Sequence, residues 1–560
     1  MPDQIVLVGL SGSGKSAVAR CLAERLGRPV VDVDDLVERR TGRSPTQLIE
    51  LDGVATFRSA ESRAVAEAAA VPGAVIATGG GAVIDPLNRW ALWSAGTVVW
   101  LDAPDAVLAD RLASDAVGRP LLGGNGSPGA EEKLAELRQA REPFYRAADL
   151  RIDASGPVEV VAARVAGEVA AWGGAAGTAA AASATAMAPR RLFDAQVPRM
   201  HPMGPPRARI VLGRDLDAPA LAAILDGVST GEPLVVADQR VARALPGLLS
   251  ALPAARRLVI RAGERAKRLR VAERLLESAA GLGLERGDAW IAVGGGTTGD
   301  LVGTAAALYH RGAPLVHVPT TWLAEADSAI GGKVAVDLAR SKNAAGAFWP
   351  PVAVIADVAA LRTLPRRRLL DGMAECLKGG LIGDPTLWRL VEQRGAAAAR
   401  TTGPDEAARY AILELAVRLK LGVVERDPYE TGERRALNLG HTIGHALEIQ
   451  SGYRLPHGAA VALGVRAVAT IAAGRGAEPG LRERIDSVLA GLGYALTRRF
   501  DPVAVRAALA GDKKRLRGRQ RWILPMEVGR VIEVDDVRAR ELDAALRSIT
   551  AGEPRTGAVA

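Results

Sequence analysis

The sequence predicts an α/β protein with two helix-covered parallel sheets and a mostly helical last third. Short apolar runs, IVLVGL (5–10), AVIATGG (74–80) and TVVWLD (97–102), alternate with helical stretches, which is the rhythm of a parallel sheet with helices on both faces. The rhythm returns in PLVVAD (233–238), RLVIRAG (257–263), AWIAVGGG (289–296) and LVHVPTT (315–321). After about residue 365 the strands thin out and patterns such as DEAARYAILELAVRLKLGVV make the remainder mostly helix.

A chain of 560 residues is too long for one core; at roughly 100–200 residues per domain it holds three to four folding units. Residues 1–168 form the first. The charge-free run VAAWGGAAGTAAAASATAMAP has membrane length but is Ala/Gly/Ser/Thr-rich and lacks Leu, Ile and Phe, so 169–204 reads as a tether. The second sheet falls in 205–365, the helical part in 366–550, and a tail in 551–560. The formal charge of +9 is spread without a basic tail or aromatic-interleaved patch, and anionic small substrates explain it at least as well as nucleic acid, which is not expected as a partner. Two cysteines, Cys21 and Cys376, exclude a disulfide framework and a thiolate zinc cluster and fit a reducing compartment. With a strand directly after Asp3 and no signal-peptide pattern, the expectation is a cytoplasmic protein with no membrane partner.

Between the first strand and a helix starting near Lys15 stands GLSGSGKS, Gly9 to Ser16. Its glycines let backbone N–H groups curl around a polyphosphate. Gly12, Ser13, Gly14 and Lys15 form that cradle, Lys15 reaches the outer phosphates, and Ser16 is the Mg²⁺ ligand that comes with ATP. Asp32 and Asp34, read as the end of the second strand, share a face at spacing two, one suited to the metal's water and one to an acceptor hydroxyl. Arg58, Arg119 and Arg141 are guanidinia available for an anion, and Gly79, Gly80 and Gly81 follow a strand where backbone can approach a ligand. In order, GLSGSGKS, DVDD, FR, TGGGAV, GRPLL and REPFYR resemble shikimate kinase over about residues 1–155. The resemblance implies that Asp34, Arg58, Arg141 and the Gly79–Gly81 backbone hold shikimate. Arg119, in the GRPLL lid, would reach over the ATP phosphates, and Asp34 would orient the 3-hydroxyl. A kinase for gluconate or a nucleoside is the rival reading; a neutral acceptor such as a nucleoside needs no arginine clamp.

Three of the six histidines lie within seventeen residues. His441 and His445 sit at i, i+4 on one helical face, His457 follows a proline, and Glu375 stands in the helical GMAECLKGG, a set suited to zinc with an open position. Gly294-Gly295-Gly296-Thr-Thr-Gly-Asp300 follows a strand and can accept a pyrophosphate. Lys333, Lys342, Lys378, Lys420 and Arg434 suggest an anion pocket. The ordered segments AGERAK, GGGTTGD, YHRG, VPTTWLAEADSAIGGK, SKNAAGAF, GMAECLKGGLI, LNLGHTIGHALE, LPHGAAV and GDKK resemble 3-dehydroquinate synthase over about residues 205–550. That resemblance implies an α/β nucleotide-binding domain joined to a helical metal-binding domain.

By the same resemblance Zn²⁺ (or Co²⁺) is held by Glu375, His441 and His457, with His445 moving protons nearby. NAD meets Glu264, Lys267, Gly295, Gly296, Asp300, Thr320, Thr321, Lys333 and Lys342. Asp327, Lys333, Asn343, Lys378, Lys420, Arg434, Asn438 and Lys513 or Lys514 surround the substrate. Arg311 would reach a neighbouring subunit's site, which implies a homodimer. The implied reaction converts 3-deoxy-D-arabino-heptulosonate 7-phosphate to 3-dehydroquinate. It runs by transient oxidation of a ring alcohol, loss of phosphate, return of hydride and an internal aldol closure. A metal-dependent glycerol dehydrogenase-like enzyme is the rival, and would release NADH.

Overall fold

The computed structural model describes residues 3–113, 130–177, 190–198, 207–252, 256–338, 341–510, 515–516 and 519–551. The chain divides into two compact units, Met1–Gln196 with Arg209–Asp217, and Val197–Ala208 with Ala218–Ala560. The two parts expected at 205–365 and 366–550 thus lie mainly in one unit.

In the first unit, β1 (Gln4–Val8), β2 (Val30–Asp32), β3 (Val75–Ala77), β4 (Gly96–Asp102) and β5 (Leu150–Asp153) form a parallel sheet in the order β2-β3-β1-β4-β5. The central β1 is buried along its whole length. Ile5, Leu7, Val99 and Leu101 pack against Val18 and Leu22 of the helix Lys15–Leu26 and Val161 and Val165 of the helix Val158–Gly177; each such side chain contributes about 1.5–3 kcal/mol. Gly9, at φ 149°, admits no side chain, because a Cβ there would stand 2.4 Å from the Leu101 carbonyl oxygen. The phosphate loop is thereby pressed against the end of β4.

Two expectations change here. Asp32 ends β2, but Asp34 lies in the first turn of the next helix, Val33–Thr41, and the Asp32 carboxylate accepts the Asp34 N–H at 3.0 Å. The strand-face pairing is replaced by a helix cap, because a residue with an N-capping carboxylate starts a helix more readily than it extends a strand. Within the expected tether 169–204, the helix continues to Gly177 and residues Arg190–Pro198 form β6. β7 is Arg207–Arg214. Among the described residues no helix is long and apolar enough to cross a membrane.

In the second unit, β8 (Leu234–Asp238), β9 (Arg256–Ile260), β10 (Trp290–Gly294) and β11 (Leu315–Pro319) run parallel. β12 (Lys333–Leu338) and β13 (Ser341–Phe348) form an antiparallel hairpin, and β14 (Ala353–Asp357) pairs with β11 in parallel. The parallel strands stand in the order β14-β11-β10-β8-β9. The helices Arg366–Ile382, Pro385–Ala398, Glu406–Arg426, His441–Gln450 and His457–Ala473 begin the helical half. The last two cross at glycines: a Cβ on Gly464 would fall 1.9 Å from the Gly440 carbonyl oxygen, and Gly440 itself has φ 75°. Gly464→Ala is expected to force these helices apart at a cost of about 1–3 kcal/mol. It should lower the thermal transition; an unchanged melting curve would show that the crossing tolerates a methyl group.

Two candidate active sites

The first site forms around the turn after β3. The helix Lys15–Leu26 starts from Gly14 at φ 82° with no side-chain cap, so its first N–H groups face the loop. Lys15 is buried, and its Nζ donates to the carbonyls of Gly9 (2.9 Å) and Leu10 (2.8 Å). Gly79, Gly80 and Gly81 each lie against a different functional side chain, Gly79 also against Glu61 and Gly80 also against Ser11. A Cβ on Gly79 would lie 3.0 Å from Asp34 Oδ1, one on Gly80 3.4 Å from Arg141 Nη1, and one on Gly81 2.3 Å from Arg58 Nη2. Asp34, Arg58, Arg141 and the glycine turn therefore come together, and Gly12, Ser13 and Ser16 lie on the adjoining phosphate loop and helix. Arg119 lies outside the described residues.

Glu61 and Tyr145 belong to this site although sequence reasoning passed over them. Glu61 is 1% exposed and pairs with Arg58 at 2.5 Å. Burial raises its pKa, with Arg58 opposing. The Tyr145 hydroxyl donates to the Gly80 carbonyl at 2.6 Å, and burial pushes it up to about 12. Glu61 was findable, since i, i+3 from Arg58 places the two on one helical face.

The second site lies in the helical half. Glu375 Oε1 is 3.4 Å from His441 Nε2 and 3.1 Å from His457 Nε2. The ligand atoms of these three residues all lie within 4.8 Å of one another. The His441 Nδ1 faces the Leu439 carbonyl at 3.1 Å; donation there leaves the Nε2 lone pair for a metal. The Nδ1 of His457 meets Glu448 at 3.4 Å. Burial opposes charge on His457, but the hydrogen bonds it donates to Glu375 and Glu448 outweigh it and raise its pKa to about 10. Burial likewise opposes ionisation of Glu375, and Lys378 and His457 bring it to about 2. A carboxylate and two oriented imidazoles fit a divalent zinc-type ion. His445 stands beside this set, its ring 5.2 Å from that of His441. The i, i+4 pair taken alone makes both histidines ligands; here His445 instead shares a second grouping with Glu448 and His457.

A cleft of about 2690 Å³ adjoins the cluster, its lining including Glu264, Lys333, Lys342, Asn343, Asn438 and His445. Gly295 and Gly296 follow β10, and Thr320 and Thr321 follow β11, at the carboxyl ends of parallel strands where nucleotides bind. Lys267 pairs with Asp300 at 2.5 Å and donates to Asn343. Lys342 pairs with Glu264 at 2.8 Å. Lys420 pairs with Asp327 at 2.5 Å, Lys378 pairs with Glu375 and donates to the Leu437 carbonyl at 2.7 Å, and Arg434 donates to the Gly331 carbonyl at 2.9 Å. Lys333 pairs with Glu430, which accepts from Asn438 at 2.7 Å. Arg311 is exposed on the turn Tyr309–Arg311 and is not among the residues lining the cleft. Lys513 and Lys514 lie outside the described residues.

Glu430, Glu448 and Asp427 are further additions. Asp427 accepts from the backbone N–H groups of Thr431 (2.8 Å), Gly432 (2.7 Å) and Arg434 (3.0 Å), folding the loop that presents Glu430 and Arg434. Burial opposes its charge, but these donors hold it at about 2. A lowered carboxyl pKa stabilises the fold above the ordinary value near 3.8 and loses that contribution as pH falls through about 2. Asp427→Ala should therefore melt below wild type at neutral pH, with the gap closing toward pH ~2. A gap independent of pH would show that the carboxylate is not what holds the loop.

A phosphate loop on one parallel sheet, and a carboxylate–imidazole cluster beside a nucleotide-type sheet in the other unit, define a bifunctional α/β enzyme. Residues 11–170 match the shikimate kinase family, residues 257–371 the N-terminal part of 3-dehydroquinate synthase, and residues 372–515 its C-terminal part. The 3-dehydroquinate synthase of Desulforamulus reducens is 38% identical over 342 residues, 58% of this chain and 94% of that protein. The 2-epi-valiolone synthase of Actinosynnema mirum is 38% identical over 352 residues, 60% of this chain and 91% of that protein. Among solved structures, the 2-epi-5-epi-valiolone synthase ValA of Streptomyces hygroscopicus, with NAD⁺ and Zn²⁺ bound, is 29% identical with a TM-score of 0.57, covering 62% of this chain and 98% of that one. The chain belongs to the 3-dehydroquinate synthase family and carries a shikimate kinase domain ahead of the synthase.

Proposed function

We propose that the chain catalyses two reactions of the shikimate route to chorismate: ATP-dependent phosphorylation of the shikimate 3-hydroxyl, and conversion of 3-deoxy-D-arabino-heptulosonate 7-phosphate to 3-dehydroquinate and phosphate. The observation that carries the reading is the convergence of Asp34, Arg58 and Arg141 on the Gly79–Gly81 turn. Two guanidinia beside a carboxylate suit an acceptor bearing both an acid and hydroxyl groups. A kinase for shikimate on the same polypeptide favours heptulosonate phosphate as the synthase substrate.

In the kinase, Arg58 and Arg141 bind the acceptor carboxylate and Glu61 fixes the Arg58 fork. Asp34 orients the hydroxyl and accepts its proton. Lys15 leaves its carbonyl partners for the transferring phosphoryl group. Ser16 and Asp32 would hold Mg²⁺, which supplies charge neutralisation.

In the synthase, Glu375, His441 and His457 would hold the divalent ion, whose contribution is Lewis acidity toward substrate oxygens. The loops after β10 and β11, with Glu264, Lys267, Asp300 and Lys342, would hold NAD, which supplies reversible hydride transfer. Lys333, Lys378, Lys420 and Arg434 neutralise the substrate's phosphate and carboxylate, Asp327, Asn343 and Asn438 orient its hydroxyls, and His445 moves a proton beside the metal ligands. The identity shared with a 2-epi-valiolone synthase supports a second reading, in which the synthase half forms a related cyclitol.

The test supplies heptulosonate phosphate with NAD and Zn²⁺, and separately shikimate with Mg-ATP, and identifies the products by mass. 3-Dehydroquinate and shikimate 3-phosphate support the proposal. No cyclisation of heptulosonate phosphate moves the synthase to the second reading, and net NADH release would make it a dehydrogenase.

A further inference from the structure

Arg89, in the helix Pro86–Ala95, is 0% exposed. A guanidinium that deep must be hydrogen-bonded. Its Nη1 donates to the Val83 carbonyl and its Nε to the Leu192 carbonyl at 3.2 Å, and the group lies 4.3 Å from the centre of the Phe144 ring. Val83 belongs to the short turn that follows Gly79–Gly81. Phe144 comes three residues after Arg141 and directly before Tyr145, on the helix Ala130–Tyr145. Leu192 belongs to β6, and the next residue, Phe193, places its ring 5.9 Å from Phe144. β6 is tied down in turn by Arg190, which pairs with Asp149 at 2.5 Å and donates to the Gly96 carbonyl at 3.2 Å. One buried fork thus joins both acceptor-binding elements to a strand, and that strand lies past residue 170, where the match to the kinase family ends.

We propose that Arg89, braced by Phe193 and the β6 backbone, is a positioning residue that sets the gap between the glycine turn and the Arg141 helix. Acceptor affinity of the kinase unit then depends on a segment outside the kinase family match. The inference rests on reading this pocket as the acceptor site. A lysine can reach one carbonyl but cannot span two in a plane while stacking on a ring, so Arg89→Lys should restore only part of what Arg89→Met loses.

The test uses the full chain with Arg89→Met, Arg89→Lys and Phe193→Ala, with synthase turnover in the same preparation as the folding control. Arg89→Met and Phe193→Ala are expected to raise KM for shikimate about tenfold or more, a loss of at least ~1.4 kcal/mol, with KM for ATP within twofold and the lysine variant between. Equal changes in both KM values, or none, overturn the proposal. Amide hydrogen exchange gives a reading independent of the acceptor. Faster exchange in residues 79–84 and 141–146, with residues 15–26 unchanged, supports it, and uniform exchange overturns it. Should Arg89→Met fail to fold, Phe193→Ala, which leaves the guanidinium in place, decides the matter. Failure of the wild-type chain to phosphorylate shikimate would instead overturn the assigned function and leave the exchange result to judge the positioning role.

Discussion

On the proposed assignment, His441→Ala is expected to cripple the synthase reaction and leave shikimate phosphorylation intact. His441 is one of three side chains whose ligand atoms converge within 4.8 Å, and its Nδ1 is already committed to the Leu439 carbonyl. Removing it leaves a carboxylate and one imidazole, too few to hold the ion firmly. A Lewis acid contributes several kcal/mol to the reaction, so a loss of ~4 kcal/mol corresponds to a fall of about 10³ in turnover. Bound metal measured alongside kcat should fall in parallel. Full turnover with normal metal content would mean that the ion sits elsewhere, with the His445, Glu448 and His457 grouping the place to look.

Lys15→Ala should have the opposite selectivity. Lys15 is anchored inside the phosphate loop, on the carbonyls of Gly9 and Leu10. Deleting one preorganised donor to a developing negative charge typically costs about 10²–10³ in kcat. The kinase should lose at least that much, with synthase turnover within error of wild type. A parallel loss of both activities would argue that the substitution damages the fold rather than phosphoryl transfer.

The sheets and the helical half were legible because period-two apolar runs and helical periodicity are local, and the phosphate loop because its glycines serve one local geometry. The Glu375, His441 and His457 set was legible only through resemblance, since spacing alone favours His445 as a ligand over a glutamate 66 positions upstream of His441. Alternation puts Asp34 on a strand because it does not reveal that Asp32 caps a helix. Glu430 and Asp427 escaped because their roles depend on a loop whose backbone donors turn back on one carboxylate, and no periodicity encodes that. β6 falls in the expected tether because Ala and Gly dominate the stretch before it, whereas Leu192 and Phe193 are buried against residues far away in sequence.

Cys376 is wholly buried beside Glu375, and burial pushes its thiol pKa up. A protonated, enclosed sulfur neither competes for the ion nor meets an electrophile. Cys21, on the helix that follows the phosphate loop, is only half-buried. A maleimide dye at low stoichiometry would therefore mark one half of this protein and spare the other.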